Sequence, residues 1–235
     1  MIRLTLSTLT AVAALFLGNV ADAALTVDGS RFVYRAQARL LSIRVGNNSS
    51  QPILAQIWLD RGDLHADPAR LAVPFVILKP LLRLDPLQHT MVQVQYTGES
   101  LPRDRESLYW INFLEVPALP TDRSHLLRVA YRLRMKLLFR PTGLPASGAN
   151  AARQLRWRVR QGALVVTNPS PVFVSVTSLR LGTGGRELDI EPFTIDPFAS
   201  RVVPSPSAGT AGEIGYTFVG DGGEALSAQA LIEHE

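Results

Sequence analysis

The chain has 235 residues, a formal net charge of +4 at pH 7 and no cysteine. The lack of cysteine excludes a disulfide framework, a thiolate metal site and a cysteine nucleophile. The basic charge suits an anionic surface or a carboxylate-bearing partner, and the export signal described next argues against nucleic acid.

The first 23 residues have the layout of a secretory signal peptide. Arg3 precedes an apolar run over residues 4–17, and Ala21-Asp22-Ala23 forms an A-x-A cleavage site. The apolar run is shorter than the ~20 residues that a membrane-spanning helix needs. We therefore expect the leader to be removed and an exported mature protein to begin at Ala24.

Residues 24–140 contain short apolar stretches separated by turn residues. Alternation of apolar and polar side chains with a period of two is typical of β-strands. The expected strands are 30–36, 38–47, 53–60, 75–80, 90–96, 107–117 and a final strand within 126–141. Seven strands with no amphipathic helix between them predict an antiparallel sandwich of immunoglobulin type.

The last of these predicted strands is unusually long. In LLRVAYRLRMKLLFRP (126–141), apolar side chains at odd positions alternate with mostly basic ones at even positions. At roughly 3.3 Å per residue such a strand would measure more than about 40 Å, whereas five or six residues are usual. One half could line the core of its own domain, and the role of the other half needs an explanation.

A change in composition follows this strand. PTGLPASGAN (141–150) is rich in Pro, Gly, Ala and Ser and has no periodicity, so we interpret it as a linker between domains. Residues 151–235 again show short β-type stretches, with hairpin turns expected at 168–171 and 182–185. The predicted fold is therefore all-β, with two sandwich domains.

No group of residues forms a recognisable catalytic or metal-binding motif. The four histidines are isolated, no GxSxG turn occurs, and the glycine run at 182–185 lacks the lysine and helix of a phosphate loop. Glu187, Asp189 and Glu191 would share one strand face, where they could bind calcium, act as an acid–base pair or simply be solvated. The pattern favours a binding protein, without enzymatic activity, metal or cofactor.

Several motifs resemble those of the periplasmic pilus chaperones, the PapD-like family. LPRDRESLYWINFLEVP (101–117) is similar to the family signature, and RLRMKLLFRP (132–141) is similar to a second motif. LRWRV, LVVTNPSPVFVSVTSL and FVGDGG resemble landmarks of the second domain. The resemblance covers the mature chain, 24–235, and implies a periplasmic protein of two immunoglobulin-like domains, joined at an angle with a cleft between them.

The resemblance also implies a use for the long strand. A pilus subunit lacks the last strand of its own sandwich, and the chaperone lends its seventh strand to the resulting groove, a mode known as donor-strand complementation. By this resemblance the donated residues are Leu127, Val129, Tyr131 and Leu133. Tyr131 departs from the family, which more often has an aliphatic residue there, and its hydroxyl needs a polar partner.

Two further sets of residues take roles from the resemblance. Arg31 and Lys136 resemble the paired cations that anchor the C-terminal carboxylate of a subunit, through charge-assisted hydrogen bonds. Lys136 has the opposite parity to the donated residues, which leaves a bend, a bulge or a role on the other face open. Glu106, Arg140 and Asp221 resemble an interdomain ion-pair network.

The partners implied are pilus subunits and an outer-membrane usher, with neither nucleic acid nor ATP. The short connection over 117–124 is similar to that of the short-loop subclass of chaperones, and an exposed donor strand could also pair with a second copy of the chain. Two alternatives from other classes stay open. One is a secreted structural fibre subunit, and the other is a carbohydrate-binding sandwich that uses Trp58, Trp110 and Trp157.

Overall fold

The computed structural model of the chain describes residues 24–65, 67–68, 71–117, 130–144, 147–182, 187–203 and 212–234. Within these residues there are seventeen strands and one short helix. The strands form two sandwiches, each of which surrounds its own hydrophobic core. The prediction of an all-β fold with two sandwich domains is confirmed.

The first domain contains nine of these strands. Their bounds are β1 Leu25–Val27, β2 Arg31–Arg35, β3 Leu41–Asn47, β4 Ile53–Asp60, β5 Phe75–Ile77, β6 Leu81–Leu84, β7 His89–Tyr96, β8 Ser107–Pro117 and β9 Tyr131–Arg140. One sheet has the order β1-β3-β7-β5 and the other the order β2-β9-β8-β4-β6. The predicted count of seven was wrong, because β1 and β6 are too short for a period of two to be visible.

The N-terminal segment crosses from one sheet to the other. β1 pairs antiparallel with β3, whereas β2 pairs parallel with β9. Gly29 lies at the crossing with a φ of +110°, a conformation that strains other residues. Because β2 begins at Arg31, opposite Lys136, it covers only the second half of β9.

The long strand predicted over 126–141 is shorter in the structure. β9 begins at Tyr131, and Ala130 has no strand conformation, since the ladder with β8 ends at the Glu115–Tyr131 pair. Leu127, Val129 and nearly all of the short connection after Pro117 lie outside the described residues.

The second domain has one helix and eight strands. Their bounds are α1 Gly148–Arg153, β10 Arg156–Arg160, β11 Ala163–Thr167, β12 Val174–Leu181, β13 Glu187–Leu188, β14 Phe193–Ile195, β15 Ser200–Val203, β16 Glu213–Val219 and β17 Ala225–His234. The ladder runs β13-β12-β16-β17-β10-β11-β15, with β14 also paired to β12. These strands and α1 enclose the second core.

Helix α1 was not predicted, because it overlaps the stretch interpreted as a linker. Its N-cap is Ser147, whose hydroxyl accepts the N–H of Asn150 at 3.3 Å. The alanines within GANAAR have the highest helix propensity of all residues. A good cap and these alanines offset the helix-weakening glycine at its start.

Two expectations about the second domain were wrong. Glu187, Asp189 and Glu191 do not share a strand face, because β13 ends at Leu188 ahead of Asp189 and Pro192, both unfavourable in strands. Among the described residues no three His, Asp or Glu side chains are placed to hold a metal ion. Trp157 is only 1% exposed inside the second core, where it cannot stack on a sugar.

Candidate functional site

Strand β9 has two halves with different neighbours. We call residues 131–135 the open half and residues 136–140 the covered half. β8 pairs with both halves, but among the described strands only β2 pairs with the other edge, and it does so from Lys136 onward. No described strand pairs with the backbone N–H and C=O groups on this edge of the open half, and these groups can hydrogen-bond to an additional strand.

Burial follows this division. On the core-facing side, Tyr131 is 36% exposed and Leu133 is half-buried, whereas Leu137 and Phe139 are 0% and 4% exposed. Tyr131 and Leu133, two of the four predicted donor residues, thus lie in the open half with their side chains incompletely covered.

Lys136 lies on the opposite face of the strand. The β8–β9 ladder continues without a register shift from Glu115–Tyr131 to Ser107–Phe139, so no bulge reverses the parity of Lys136. The side chain extends away from the first core to the second domain, where Ser175 accepts a hydrogen bond from it. Of the three explanations for its parity, the structure supports a role on the other face.

Arg31 and Lys136 are direct partners across the β2–β9 ladder, at the point where the open half ends. Arg31 is 4% exposed and its Nη1 donates to the carbonyl oxygen of Val219 at 3.1 Å. Nζ of Lys136 donates to the hydroxyl oxygen of Ser175 at 2.9 Å and to that of Thr194. Both cations therefore reach from the first domain to the second.

A cavity of about 290 Å³ lies around these two cations. Residues of both domains line it, among them Arg31, Trp110, Arg134 and Lys136 from the first domain and Ser175 and Phe193 from the second. Its position between the two sandwiches makes it the interdomain cleft.

The electrostatics of the cleft favour an anion. Burial and the neighbouring Arg31 charge lower the pKa of Lys136 to about 8, against the opposite effect of Asp196. Burial also lowers the pKa of Arg31. Acids act on both cations only from a distance, since within the described part of the chain neither cation forms a salt bridge. A bound carboxylate would supply the direct contact that both lack.

Glu106, Arg140 and Asp221 are in direct contact. Nε of Arg140 donates to Glu106 at 2.6 Å, and its Nη1 and Nη2 donate to the two oxygens of Asp221 at 2.6 and 2.8 Å. The second oxygen of Glu106 accepts the N–H of Phe173 at 2.8 Å, and Asp221 also accepts the N–H of Gly148 at 3.2 Å. Since Glu106 and Arg140 belong to the first domain and the others to the second, the network connects the domains.

The pKa values of the two carboxylates that share Arg140 shift in opposite directions. Burial raises the pKa of Glu106 by more than Arg140 and the Phe173 amide lower it. Burial is the largest effect on Asp221 as well, but the hydrogen bonds and charge of Arg140, the Gly148 amide and the Arg31 charge together outweigh it, and the pKa of Asp221 is lowered. Burial likewise opposes the charged form of Arg140, yet its hydrogen bonds to both acids hold its pKa above the usual value.

A second polar cluster supports the open half, and no sequence motif indicated it. Arg134 donates to Asp60 at 2.6 Å, and its guanidinium carbon lies 4.2 Å from the centre of the Trp110 ring. Asn112 donates to the other oxygen of Asp60 at 2.7 Å. Asp60 and Arg134 are 74 residues apart, so their contact could be predicted only if the β4-β8-β9 strand order were known.

Comparison with known proteins identifies the family. Residues 24–145 match the model "Pili and flagellar-assembly chaperone, PapD N-terminal domain", and residues 150–230 match "Pili assembly chaperone PapD, C-terminal domain". The family resemblance carried by residues 101–117 and 132–141 is thus confirmed.

Individual relatives agree with these models. The probable fimbrial chaperone YadV of Escherichia coli is 36% identical over 194 residues, which are 79% of this chain and 78% of that protein. The solved CupB2 chaperone of Pseudomonas aeruginosa has a TM-score of 0.77 and 31% identity, covering 88% of this chain and 100% of that one. A chain of the solved Salmonella enterica complex of SafA pilin with SafB chaperone has a TM-score of 0.78 and 26% identity, covering 90% and 98%. The chain described here belongs to the PapD family of pilus-assembly chaperones.

Proposed function

We propose that this protein is a periplasmic chaperone that folds, stabilises and caps pilus subunits by donor-strand complementation and delivers them to an outer-membrane usher. The observation that carries the proposal is the arrangement on one edge of β9. An unpaired strand edge over residues 131–135 ends at two cations, Arg31 and Lys136, which lack a carboxylate partner within the described residues.

The arrangement determines how a subunit would bind. If the C-terminal carboxylate of the subunit lies at Arg31 and Lys136, the residues before it extend along the open half toward Tyr131. The subunit strand then runs parallel to β9, in line with β2, and ends where β2 begins. An anchored terminus also sets the register, which matters because a slip of one residue turns every side chain to the wrong face.

The energetics of this mode need no nucleotide. Each main-chain hydrogen bond contributes about 1 kcal/mol net, whatever the sequence of the subunit. Each large apolar side chain that enters the subunit groove contributes about 1.5–3 kcal/mol. The donated residues are Leu127, Val129, Tyr131 and Leu133, and folding of the subunit onto them is itself the favourable step, without ATP.

The ion-pair network has a structural role in this proposal. Glu106, Arg140 and Asp221 hold the two sandwiches together and so keep the hydroxyls of the second domain beside Lys136. Buried ion pairs of this kind are weak evidence for added stability, but they can select one arrangement of the domains.

Export follows from the leader. Residues 1–23 direct the chain out of the cytoplasm and are removed before Ala24, and among the described residues no helix has the length and hydrophobicity to cross a membrane. The protein acts by binding rather than catalysis, as the names of its relatives indicate. The burial of Trp157 gives no support to the carbohydrate-binding alternative, and the presence of two sandwich domains gives none to the fibre-subunit alternative.

The test removes each cation in turn. Lys136→Ala and Arg31→Ala should each weaken capture of a co-expressed pilus subunit by at least about twentyfold, because a carboxylate left poorly paired in a cleft costs about 2–5 kcal/mol. Lys79→Ala is the matched control, since Lys79 is exposed and does not line the cleft. The measurement is co-expression and pull-down, with circular dichroism as the check of folding. Normal capture by folded Lys136→Ala and Arg31→Ala proteins would contradict the carboxylate anchor.

A further inference from the structure

Glu115 is a carboxylate on the core-facing side of β8. It continues the alternation of Tyr109, Ile111 and Phe113, and it is only 6% exposed. Among the described residues no Arg, Lys or His forms a salt bridge with it. A buried carboxylate without a cation is costly, so the position calls for a positive charge from elsewhere.

The hydrogen-bond partner of Glu115 points to the source of that charge. Its Oε2 accepts the backbone N–H of Leu25 at 2.8 Å, a bond that joins β8 in one sheet to β1 in the other. The preceding residue, Ala24, is 8% exposed, and its carbonyl oxygen accepts the N–H of Asn48 at 2.8 Å. Leu25 is thus held at the carboxylate, and Ala24, one residue before it, is held in place by Asn48.

We propose that Glu115 is the binding site for the α-ammonium group of Ala24, which removal of the leader creates. Hydrolysis of the peptide bond between Ala23 and Ala24 consumes one water, leaves a carboxylate on Ala23 and converts the amide nitrogen of Ala24 into an ammonium group. Successive backbone nitrogens of an extended chain are roughly 3.5 Å apart, so this cation forms within reach of the carboxylate that already holds the N–H of Leu25. The inference rests on the leader removal proposed above.

The pair has a consequence for the donor strand. In the precursor the nitrogen of Ala24 is a neutral amide, so the charge on Glu115 gains its cation only after processing. Glu115 lies directly opposite Tyr131, the first residue of the open half. Removal of the leader therefore stabilises the edge of the first domain on which the donor residues lie.

The first test measures the reactivity of the new amine. Mature protein from the periplasm is treated with an amine-acylating reagent at neutral pH, and the N-terminal peptide is quantified by mass spectrometry. Pairing keeps the ammonium protonated and unreactive, so Ala24 in the wild type should react at least about threefold more slowly than in Glu115→Gln. Glu99→Gln, which removes an exposed carboxylate, should react like the wild type.

The second test leaves Glu115 in place. One extra alanine ahead of Ala24 moves the ammonium group away, and it should lower the urea midpoint of the wild type but not that of Glu115→Gln. Such non-additivity identifies groups that interact directly. Additive effects, or equal acylation rates in the first test, would overturn the inference. A mature terminus other than Ala24 would overturn both this inference and the predicted cleavage site. If the amine of Ala24 reacted slowly as expected but the wild-type protein captured no pilus subunit, only the chaperone proposal would be overturned.

Discussion

The two halves of β9 share one strand and one neighbour, β8, yet they differ in almost every other respect. In the covered half, β2 pairs with the second edge, and residues 137–140 are all buried. In the open half no described strand takes that place, and Tyr131 and Arg132 are exposed. The apolar alternation continues through both halves, but the apolar side chains are fully buried in the chain's own core only where β2 is present.

The difference shows how a strand can be kept ready for a partner. An exposed edge risks aggregation, and charged side chains along it reduce that risk. In the open half, Arg132 and Arg134 supply such charges on the outer face, and Asp60 and Trp110 hold Arg134 in place. A strand held in this way loses little conformational freedom when a partner binds, which favours affinity.

The largest effect is expected at the end of the covered half. Arg140→Ala leaves two acids without their cation, one of them fully buried, and should lower the free energy of unfolding by about 3–5 kcal/mol. Arg83→Ala, which removes an exposed pair with Asp85, is the control and should cost at most about 1 kcal/mol. Urea unfolding measures both. Equal losses from the two substitutions would show that the interdomain network adds nothing beyond a surface pair.

The next effect separates the halves directly. Leu137→Ala removes a side chain that is 0% exposed and should cost about 2–5 kcal/mol of unfolding free energy, whereas Leu133→Ala, at a half-buried position, should cost less than about 2 kcal/mol. After correction for the folded fraction, Leu133→Ala should lower subunit capture more than Leu137→Ala does, because Leu133 is a proposed donor residue. If folded Leu133→Ala protein captured subunits like the wild type, Leu133 would be ordinary core.

A smaller effect concerns pH. Lys136 has a pKa of about 8, below its ordinary value of 10.5, so the folded chaperone loses this charge as the pH rises through 8. Because the subunit carboxylate needs the charge, affinity should fall above pH 8, by up to about tenfold per pH unit. Binding titrations from pH 7 to 9.5 check this, with Lys136→Arg as the variant whose affinity should stay level. Since the folded state binds fewer protons between pH 8 and 10.5, stability of the free chaperone should rise over the same window.

Strong local patterns predicted much of this fold. The bounds of β4 and β8 agree with the sequence prediction at both ends, because both strands alternate clearly and are bounded by turn residues. In β10, RWRVR, basic and apolar residues alternate and Trp157 faces inward, so its expected use in carbohydrate binding was wrong. The three-residue strand β1 and the six-residue helix α1 could not be predicted in this way, because neither spans enough residues to show a period.

The site was harder to predict than the fold. Motifs shared with the family pointed to Arg31 and Lys136, but the hydroxyls of Ser175 and Thr194 meet Lys136 only because the two domains pack together. The alternation in β8 places Glu115 on the core-facing side, but its burial was not predicted, since an acidic residue in a strand is usually solvated. Contacts between distant segments depend on tertiary packing, which local periodicity does not encode.

Amide hydrogen exchange along β9, with and without a bound pilus subunit, tests the central claim most directly. In the free chaperone, amides of the open half that point away from β8 should exchange quickly, whereas residues 136–140 should be protected. Binding should slow exchange in the open half by at least about tenfold, because each new ladder hydrogen bond must open before exchange occurs. The covered half should change little. An open half that is already protected in the free protein, or that gains no protection when a subunit binds, would contradict the account.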